Sequence, residues 1–501
     1  MQKIKSQTLS KRYAIGSLWS LLSVFFSQGA SFVASIIVAR LLGTTGFGEY
    51  NMIINTIGTL GTFTGLGLGL TATKYLAELK YSQPERAGRI LGLAIQLAFY
   101  TNALVAILVF FFAPFLAKQT LNAPYLSTEL KIGCLLLFFN SYNGLQTGAL
   151  VGFESFKKIA RITIVSGIIN FPILILGTYM RQVEGAIIAD TINAGIIFIW
   201  NQKVLNDECG KFNIKVNYKQ AWSEVSVLPK FALPAFLSGI IVSPAMWYGN
   251  TVLVNQIGGY GKLGVYNAAL QIKRVPEIIV TSLLYPLLPI LSDCFGKKDT
   301  KGFTKALTIS YSISLGITSL FGFVFLCNPG LVTLLYGQKY ISSKEIFQIL
   351  LIHTIVCVGL FAPIGSIFAS ANRMWLGFAS NFIYGCVFVA FSFFLIPKYL
   401  DIGLALTFVL TNLLISYLSY FYIKSKEREY LGFFPIKTLS LILFLLIIIS
   451  YDVSKLQSEF VTLGISLFIV SIVFGILALI LRKQQIEVWS IFESTILKIF
   501  R

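Results

Sequence analysis

The sequence predicts an all-α polytopic membrane protein with about fourteen transmembrane helices. Three observations predict it. Of 501 residues, 56% are hydrophobic and 12% charged. A soluble chain carries about 25% charged residues, so this one has too little polar surface to face water on every side. Apolar runs approaching the ~20 residues that a helix needs to cross hydrocarbon recur along the whole chain, not as one anchor. These runs, Leu439 to Ser450 among them, lack the alternation of membrane-barrel strands.

The candidate spans begin near Tyr13, Phe47, Ile90, Lys131, Ile159, Glu184, Leu228, Leu263, Ala306, Ile346, Trp375, Ile402, Pro435 and Phe460. Lys3, Lys5, Lys11 and Arg12 precede the first of them, as basic residues precede the apolar core of a signal peptide. The stretch Tyr13 to Ala39 is longer than the roughly 7–15 residues of such a core, so it reads as an uncleaved span. Connections are short. The longest, Lys203 to Lys230, alternates Phe212, Ile214, Val216 and Tyr218 with polar residues; it reads as a short strand or a segment lying on the membrane. After the last span, Trp489, Phe492, Ile496 and Ile499 form one stripe, as in a helix lying at the membrane interface.

Lysine and arginine set the orientation. With the N-terminus inside, the inner segments hold roughly threefold more of them than the outer ones, which places both termini in the cytoplasm. The net charge of +19 is then mostly a cytoplasmic face against anionic lipid, and nucleic acid is not needed to explain it.

The chain repeats itself. Gly43, Gly48, Tyr50 and Asn51 recur at one constant offset as Gly259, Gly264, Tyr266 and Asn267. Gln182-Val-Glu-Gly185-Ala186 is echoed at nearly the same offset by Leu400-Asp-Ile-Gly403-Leu-Ala405. Both echoes fall at outer turns. Duplication of a six-helix unit gives two lobes around a central cavity, related by an axis along the membrane normal. The expected organisation is an N-terminal lobe over 1–205, a cytoplasmic linker over 206–227, a C-terminal lobe over 228–425, two further helices over 426–482 and an amphipathic tail over 483–501.

At these residues the chain resembles the polysaccharide repeat-unit flippases of the O-antigen or Wzx type. They belong to the multidrug/oligosaccharidyl-lipid/polysaccharide exporter superfamily, which also holds multidrug antiporters and lipid II flippases. Ile37-Val-Ala-Arg40-Leu-Leu-Gly43-Thr-Thr-Gly-Phe-Gly48-Glu-Tyr50 is similar to their first-loop signature, and Thr73-Lys74-Tyr75-Leu-Ala77-Glu78 to the basic turn closing their second span. Leu263-Gly264-Val-Tyr266, Tyr285-Pro286-Leu-Leu-Pro289-Ile-Leu-Ser292, Leu334-Leu-Tyr336-Gly337 and Ile396-Pro397-Lys-Tyr399 follow in the expected order. The resemblance covers Ser10 to Lys424. It implies movement of a polyprenyl-diphosphate-linked oligosaccharide from the cytoplasmic to the outer leaflet of the inner membrane, for O-antigen, capsule or other surface polysaccharide. Membrane lipids and polysaccharide assembly proteins are the other partners it implies.

An anionic sugar-diphosphate needs a polar, positive path through lipid, and charges placed inside spans mark such paths. Lys273 and Arg274 stand out. Lys273 lies about 15 Å along the helix from Leu263, about half of a ~30 Å hydrocarbon core. Glu277 is one turn away from both, and one acid leaves one positive charge over. Arg40 and Lys74, at span ends, are further substrate-binding candidates, with snorkelling to head groups as the plain alternative. Asp190, within the sixth span beside Asn193, is a candidate for ion coupling or for pairing with a base elsewhere. Asn140, Asn143 and Gln146 share a face of the fourth span and either line a cavity or join helices. His353, the single histidine, lies in an apolar run, where packing is the plain reading and proton relay the other.

Six scattered cysteines have no metal-ligand or redox spacing, and Cys134 with Cys327 is the one pair with a conceivable outer-side bond. No nucleophile–base constellation, phosphate loop or metal cluster is legible, so neither catalysis nor a cofactor is expected. The competing readings are a cation-coupled multidrug antiporter, which wants a smaller, more apolar, acid-containing cavity and usually twelve spans, and a membrane-embedded polymerase or glycosyltransferase. The latter wants larger outer loops than Ala113 to Lys131.

Overall fold

The computed structural model describes residues 9–226, 236–237, 239–284, 287, 291, 294–295, 299–370, 374–426, 435–456 and 459–483, with most side chains from Phe26 onward. The expected tail helix, the basic residues Lys3, Lys5 and Arg373, and the motif residues Tyr285, Pro286, Pro289 and Ser292 lie outside them. Among the described residues the chain is helical and forms no strand. It divides into two compact units, one within Leu18–Gly264 and the other within Val265–Arg501 together with the start of the chain up to Ser17.

The first unit contains α1 (Leu9–Gly65) from Leu18 onward, α2 (Leu68–Leu79), α3 (Pro84–Phe115), α4 (Ser127–Gly152), α5 (Phe156–Lys211) and α6 (Val242–Val254). Helix α7 (Gly259–Leu284) begins in it and continues into the second unit. There follow α8 (Thr300–Cys327), α9 (Leu331–Tyr336), α10 (Ser343–Ile352), a π-helical turn His353–Val358, α11 (Gly359–Ser370), α12 (Met374–Lys426), α13 (Ile436–Val453) and α14 (Glu459–Lys483). Among the described residues no disulfide joins the cysteines, and Cys134 and Cys327 are not bonded to each other.

Among the described residues, eight helical stretches are long and apolar enough to cross a membrane. Three of them, Phe26–Gly65, Phe156–Lys211 and Trp375–Lys426, have 40, 56 and 52 residues. At 1.5 Å per residue each would run about 60 Å or more if straight, roughly twice a bilayer core. Each is broken once. Helix α1 breaks at Gly43, whose φ of 68° and ψ of −175° lie where a Cβ is not tolerated. Helix α5 breaks at Arg181 and Gln182, and α12 at Leu400. The expected outer turns thus shrink to one or two residues.

The second echo is a repeated hairpin. Gln182 has φ 51° and ψ −127°, and its counterpart Leu400 has φ 56° and ψ −123°. Three residues on, Gly185 presses on the carbonyl of Gly177 and Gly403 on that of Leu395, the same spacing back along each chain. In both hairpins the missing side chain lets two helices touch backbone to backbone.

The first echo is a contact. In the first unit, a Cβ on Gly48 would run into the carbonyl oxygen of Tyr260, and one on Gly264 into that of Thr44. Thr44 and Gly48 correspond to Tyr260 and Gly264 in the repeat, so the two copies meet reciprocally, as surfaces related by a two-fold axis do.

The core of the first unit gathers Leu76, Leu91, Leu145, Leu150, Ile162 and Leu205 from α2 to α5. The long connection belongs to this unit. Ile214 is buried, and the backbone beside it lies against α3, with the Asn217 amide donating to the Gly88 carbonyl at 3.3 Å. Gly88 and Gly92 leave the room, since a Cβ on either would meet the carbonyls of Lys215 and Asn217. Asn213 turns with a φ of 55°, so the alternation seen in the sequence is an extended piece docked on a helix. Further along, Glu224 accepts from Arg86 at 3.1 Å and from Arg89 at 2.9 Å. In the second unit, α8 is central; Phe303, Tyr311 and Phe323 are fully buried on it, and α11, α13 and α14 pack around it.

Candidate functional site

Lys273 and Arg274 are adjacent in α7 and face different surroundings. Lys273 is 2% exposed, and its Nζ lies 3.1 Å from Glu277 Oε1 and 4.4 Å from the centre of the Phe408 ring. Arg274 is exposed, and among the described residues no carboxylate pairs with it. The arithmetic of two bases and one acid therefore resolves by position: Glu277 answers Lys273, and the charge of Arg274 is left over.

Glu277 is also held from α10 and its π-helical continuation. His353 Nδ1 lies 3.0 Å from Oε1, and the Thr354 hydroxyl donates to the same oxygen at 3.0 Å. The π-helical turn His353–Val358 explains the convergence. A π segment widens the helix by one residue per turn and displaces side chains from the α register. Here it begins at His353. Phe408 from α12 closes the cluster, its ring centre 4.8 Å from that of His353. Asn412, one turn further along α12, also hydrogen-bonds with His353. The packing role read for His353 is thus incomplete: the ring is buried, and it is also a polar partner of the charged pair.

The other candidates lie in the first unit. Arg40 is exposed on α1, three residues before the Gly43 break. Lys74 is half-buried on α2, its Nζ 5.3 Å from the Tyr75 ring centre. Asp190 on α5 accepts from the Tyr50 hydroxyl at 2.7 Å, and Asn170 is a second hydrogen-bond partner. Tyr50 was legible only as part of the repeat. Asn170 and Asn193 border a cavity of about 160 Å³ lined also by Ser27, Ser31, Thr163, Ser166 and Asn201. The side-chain oxygens of Asn170 and Asn193 are buried and meet no donor among the described residues.

The polar stripe of α4 divides. The Asn143 amide donates to the Ala194 carbonyl at 3.0 Å, and that of Gln146 to Gln202 Oε1 at 2.9 Å, so these two join α4 to α5. Asn140 instead lines a cavity of about 380 Å³ with Thr62, Thr64 and Ser141. That cavity lies where α1 gives way to α2 through Leu66 and Gly67, both at positive φ. Irregular backbone inside a membrane is tolerated where it lines such a space. Lys80, which the sequence did not single out, is 4% exposed and donates to the Gly152 carbonyl at 3.1 Å and to Glu154 at 3.0 Å. Among the described residues no group of His, Cys, Asp or Glu is arranged to hold a metal ion.

Comparison with known proteins agrees with this architecture. The chain is 23% identical to the EPS I polysaccharide export inner membrane protein EpsE of Ralstonia nicotianae, over 78% of this chain and 89% of that one. It is 25% identical to the lipopolysaccharide biosynthesis protein WzxC of Escherichia coli (strain K12), over 83% and 81%. Its fold matches the lipid II flippase MurJ in an inward closed conformation, with a TM-score of 0.70 at 16% identity, over 94% of this chain and all of that one. Residues 14–295, more than half of the chain, match the model of one family. The chain is a multi-pass membrane protein that belongs to the polysaccharide biosynthesis protein family.

Proposed function

We propose that the protein is a flippase that carries polyprenyl-diphosphate-linked oligosaccharide repeat units from the cytoplasmic to the outer leaflet of the inner membrane, for surface polysaccharide synthesis. The observation that carries this reading is the base pair in the middle of α7, where the cost of a buried charge is met for Lys273 by Glu277 and left open at Arg274. A diphosphate answers that remaining charge, while a polyprenyl tail stays in lipid. Arg274 is the substrate contact in this reading, with Lys273 behind it; Lys74 and Arg40 are contacts before and after translocation. Asp190, with its neighbouring cavity of unsatisfied amide oxygens, is the coupling site for a cation.

In the same reading the chain makes fourteen crossings, with three of the long helices crossing twice, and both termini lie in the cytoplasm. Twelve of the crossings fall into two lobes of six. The protein carries its substrate and leaves its bonds unchanged, and it delivers to the polysaccharide assembly proteins outside. A clean deletion tests the reading. Lipid-linked oligosaccharide accumulates on the cytoplasmic side and surface polymer falls. Completed units reaching the outside at normal rates, in a strain with no second flippase, would rule it out.

A further inference from the structure

One oxygen of Glu277 serves three donors: Lys273 Nζ at 3.1 Å, His353 Nδ1 at 3.0 Å and Thr354 Oγ1 at 3.0 Å. A carboxylate oxygen offers two lone pairs, so the three compete. The cluster is largely buried. Lys273 is 2% exposed, Thr354 0% and His353 9%, the Glu277 side chain is 17% exposed, and Phe408 lies across both bases. In such surroundings the carboxylate must keep a cation beside it, because an uncompensated buried charge is worth several kcal/mol (about 3–5) of destabilisation. Lys273 supplies that cation at present. His353 is already in hydrogen-bond contact with the same oxygen and needs only a proton to supply it instead.

We infer that Glu277, His353 and Lys273 form a proton-linked exchange: when an anionic substrate draws the Lys273 ammonium away from Glu277, His353 takes up one proton and replaces it. The inference rests on the flippase reading above, in which a diphosphate binds at Arg274 with Lys273 behind it. The balance is simple. One proton passes from water to the free ring nitrogen of His353, the imidazolium remains hydrogen-bonded to Glu277, and the proton returns to water when the substrate leaves and Lys273 swings back. No covalent bond of the substrate changes.

The groups acting on His353 come from the elements around it. Lys273 and Glu277 face it from α7, Phe408 and Asn412 from α12, and Thr354 follows it on its own segment. Helices α8, α11 and α13 also pack on that segment. Among the described residues Lys273 and Glu277 are the charged groups that act on the ring. Cys357, one turn on, faces the same pair without carrying a charge. The sign follows from linkage. If binding takes up a proton, then protons favour binding, and affinity rises as pH falls through the range in which the bound-state histidine titrates.

The experiment is calorimetry on the purified full chain in nanodiscs, with farnesyl-diphosphate-linked N-acetylglucosamine as the probe. Both its phosphates are fully ionised near neutral pH, so it takes up no proton of its own. Titrations in two buffers of different ionisation heat give the number of protons bound. The wild type takes up a sizeable fraction of a proton, and its affinity rises by up to about tenfold per pH unit on acidification. His353→Gln, whose amide keeps the hydrogen bond to Glu277 but cannot titrate, binds like the wild type at alkaline pH and takes up none. Glu277→Gln, which removes the charge to be compensated, also takes up none and covers the case in which the first variant does not fold. Binding by the wild type without proton uptake, or uptake that persists in both variants, overturns the exchange alone. Absence of binding at every pH overturns the flippase reading and the exchange with it.

Discussion

Lys273 and Glu277, one helical turn apart on α7, form a buried ion pair with a separation of 3.1 Å, while Arg274 between them in sequence stands exposed. The two bases that look alike in the sequence therefore fail differently when removed.

Arg274→Ala is expected to insert and fold normally and to lose most surface polymer per unit of membrane protein in a deletion strain. Lys273→Ala leaves Glu277 with a cation beside it only when His353 is protonated, and is expected to cost up to about 3–5 kcal/mol in stability at alkaline pH and less on acidification. Lys273→Met combined with Glu277→Gln restores much of that stability. Thermal melting in detergent and polymer assays at matched expression separate the effects. Full polymer from the Lys273→Ala, Arg274→Ala double variant shows both bases to be structural.

Gln182 and Leu400 sit at φ 51° and 56° with ψ near −125°, in a region that residues with a Cβ enter only under strain of about 1–3 kcal/mol. Gln182→Gly and Leu400→Gly should each raise the melting temperature, with the gain in Leu400→Gly offset in part by lost side-chain contact. A fall in melting temperature for both places the strain elsewhere.

The crossing of Gly48 and Gly264 brings their neighbours into bonding range. A Cβ on Gly261 would stand 3.5 Å from Thr45 Oγ1. Thr45→Cys with Gly261→Cys is expected to form a disulfide without added oxidant, read as a mobility shift that a reductant reverses. If the contact opens during transport, the bond arrests surface polymer and reduction restores it. Failure to cross-link under mild oxidation means the two copies of the repeat do not meet here.

Glu224 accepts from Arg86 and Arg89 and holds the connection onto α3. Glu224→Ala should release it and speed tryptic cleavage at Lys215 and Lys219 several-fold, on the order of the change in its local opening equilibrium. Unchanged cleavage assigns the docking to Ile214 and the glycine contacts. Cysteine labelling at Asn217 adds a topological test: modification from outside intact cells overturns the cytoplasmic placement of this segment.

Much of the membrane fold was legible in the sequence because hydrophobic length and glycine position are local properties. The echoed turns were found as words, and the structure gives each a physical content, a hairpin corner in one case and a reciprocal contact in the other. What could not be read is long-range. His353 and Glu277 are joined through a π segment and lie on helices that the sequence does not bring together. The alternation over Phe212 to Tyr218 was visible, but its partner was not, since Gly88 and Gly92 belong to a distant helix. Lys80 was one lysine among many until its burial was seen. Even within Asn140, Asn143 and Gln146 the shared face divides between gluing and lining, because the neighbouring helix covers only part of it.

Arg181 and Lys398 stand at or beside the corners of the two hairpins, in the turns assigned to the outer side, where basic residues are scarce. Gly185 against Gly177 and Gly403 against Leu395 hold each second helix to its first, so the two arms of each hairpin pack as one body. The corner between them is therefore set by the helices on either side, and the side chains of Arg181 and Lys398 are spared the task of making the turn.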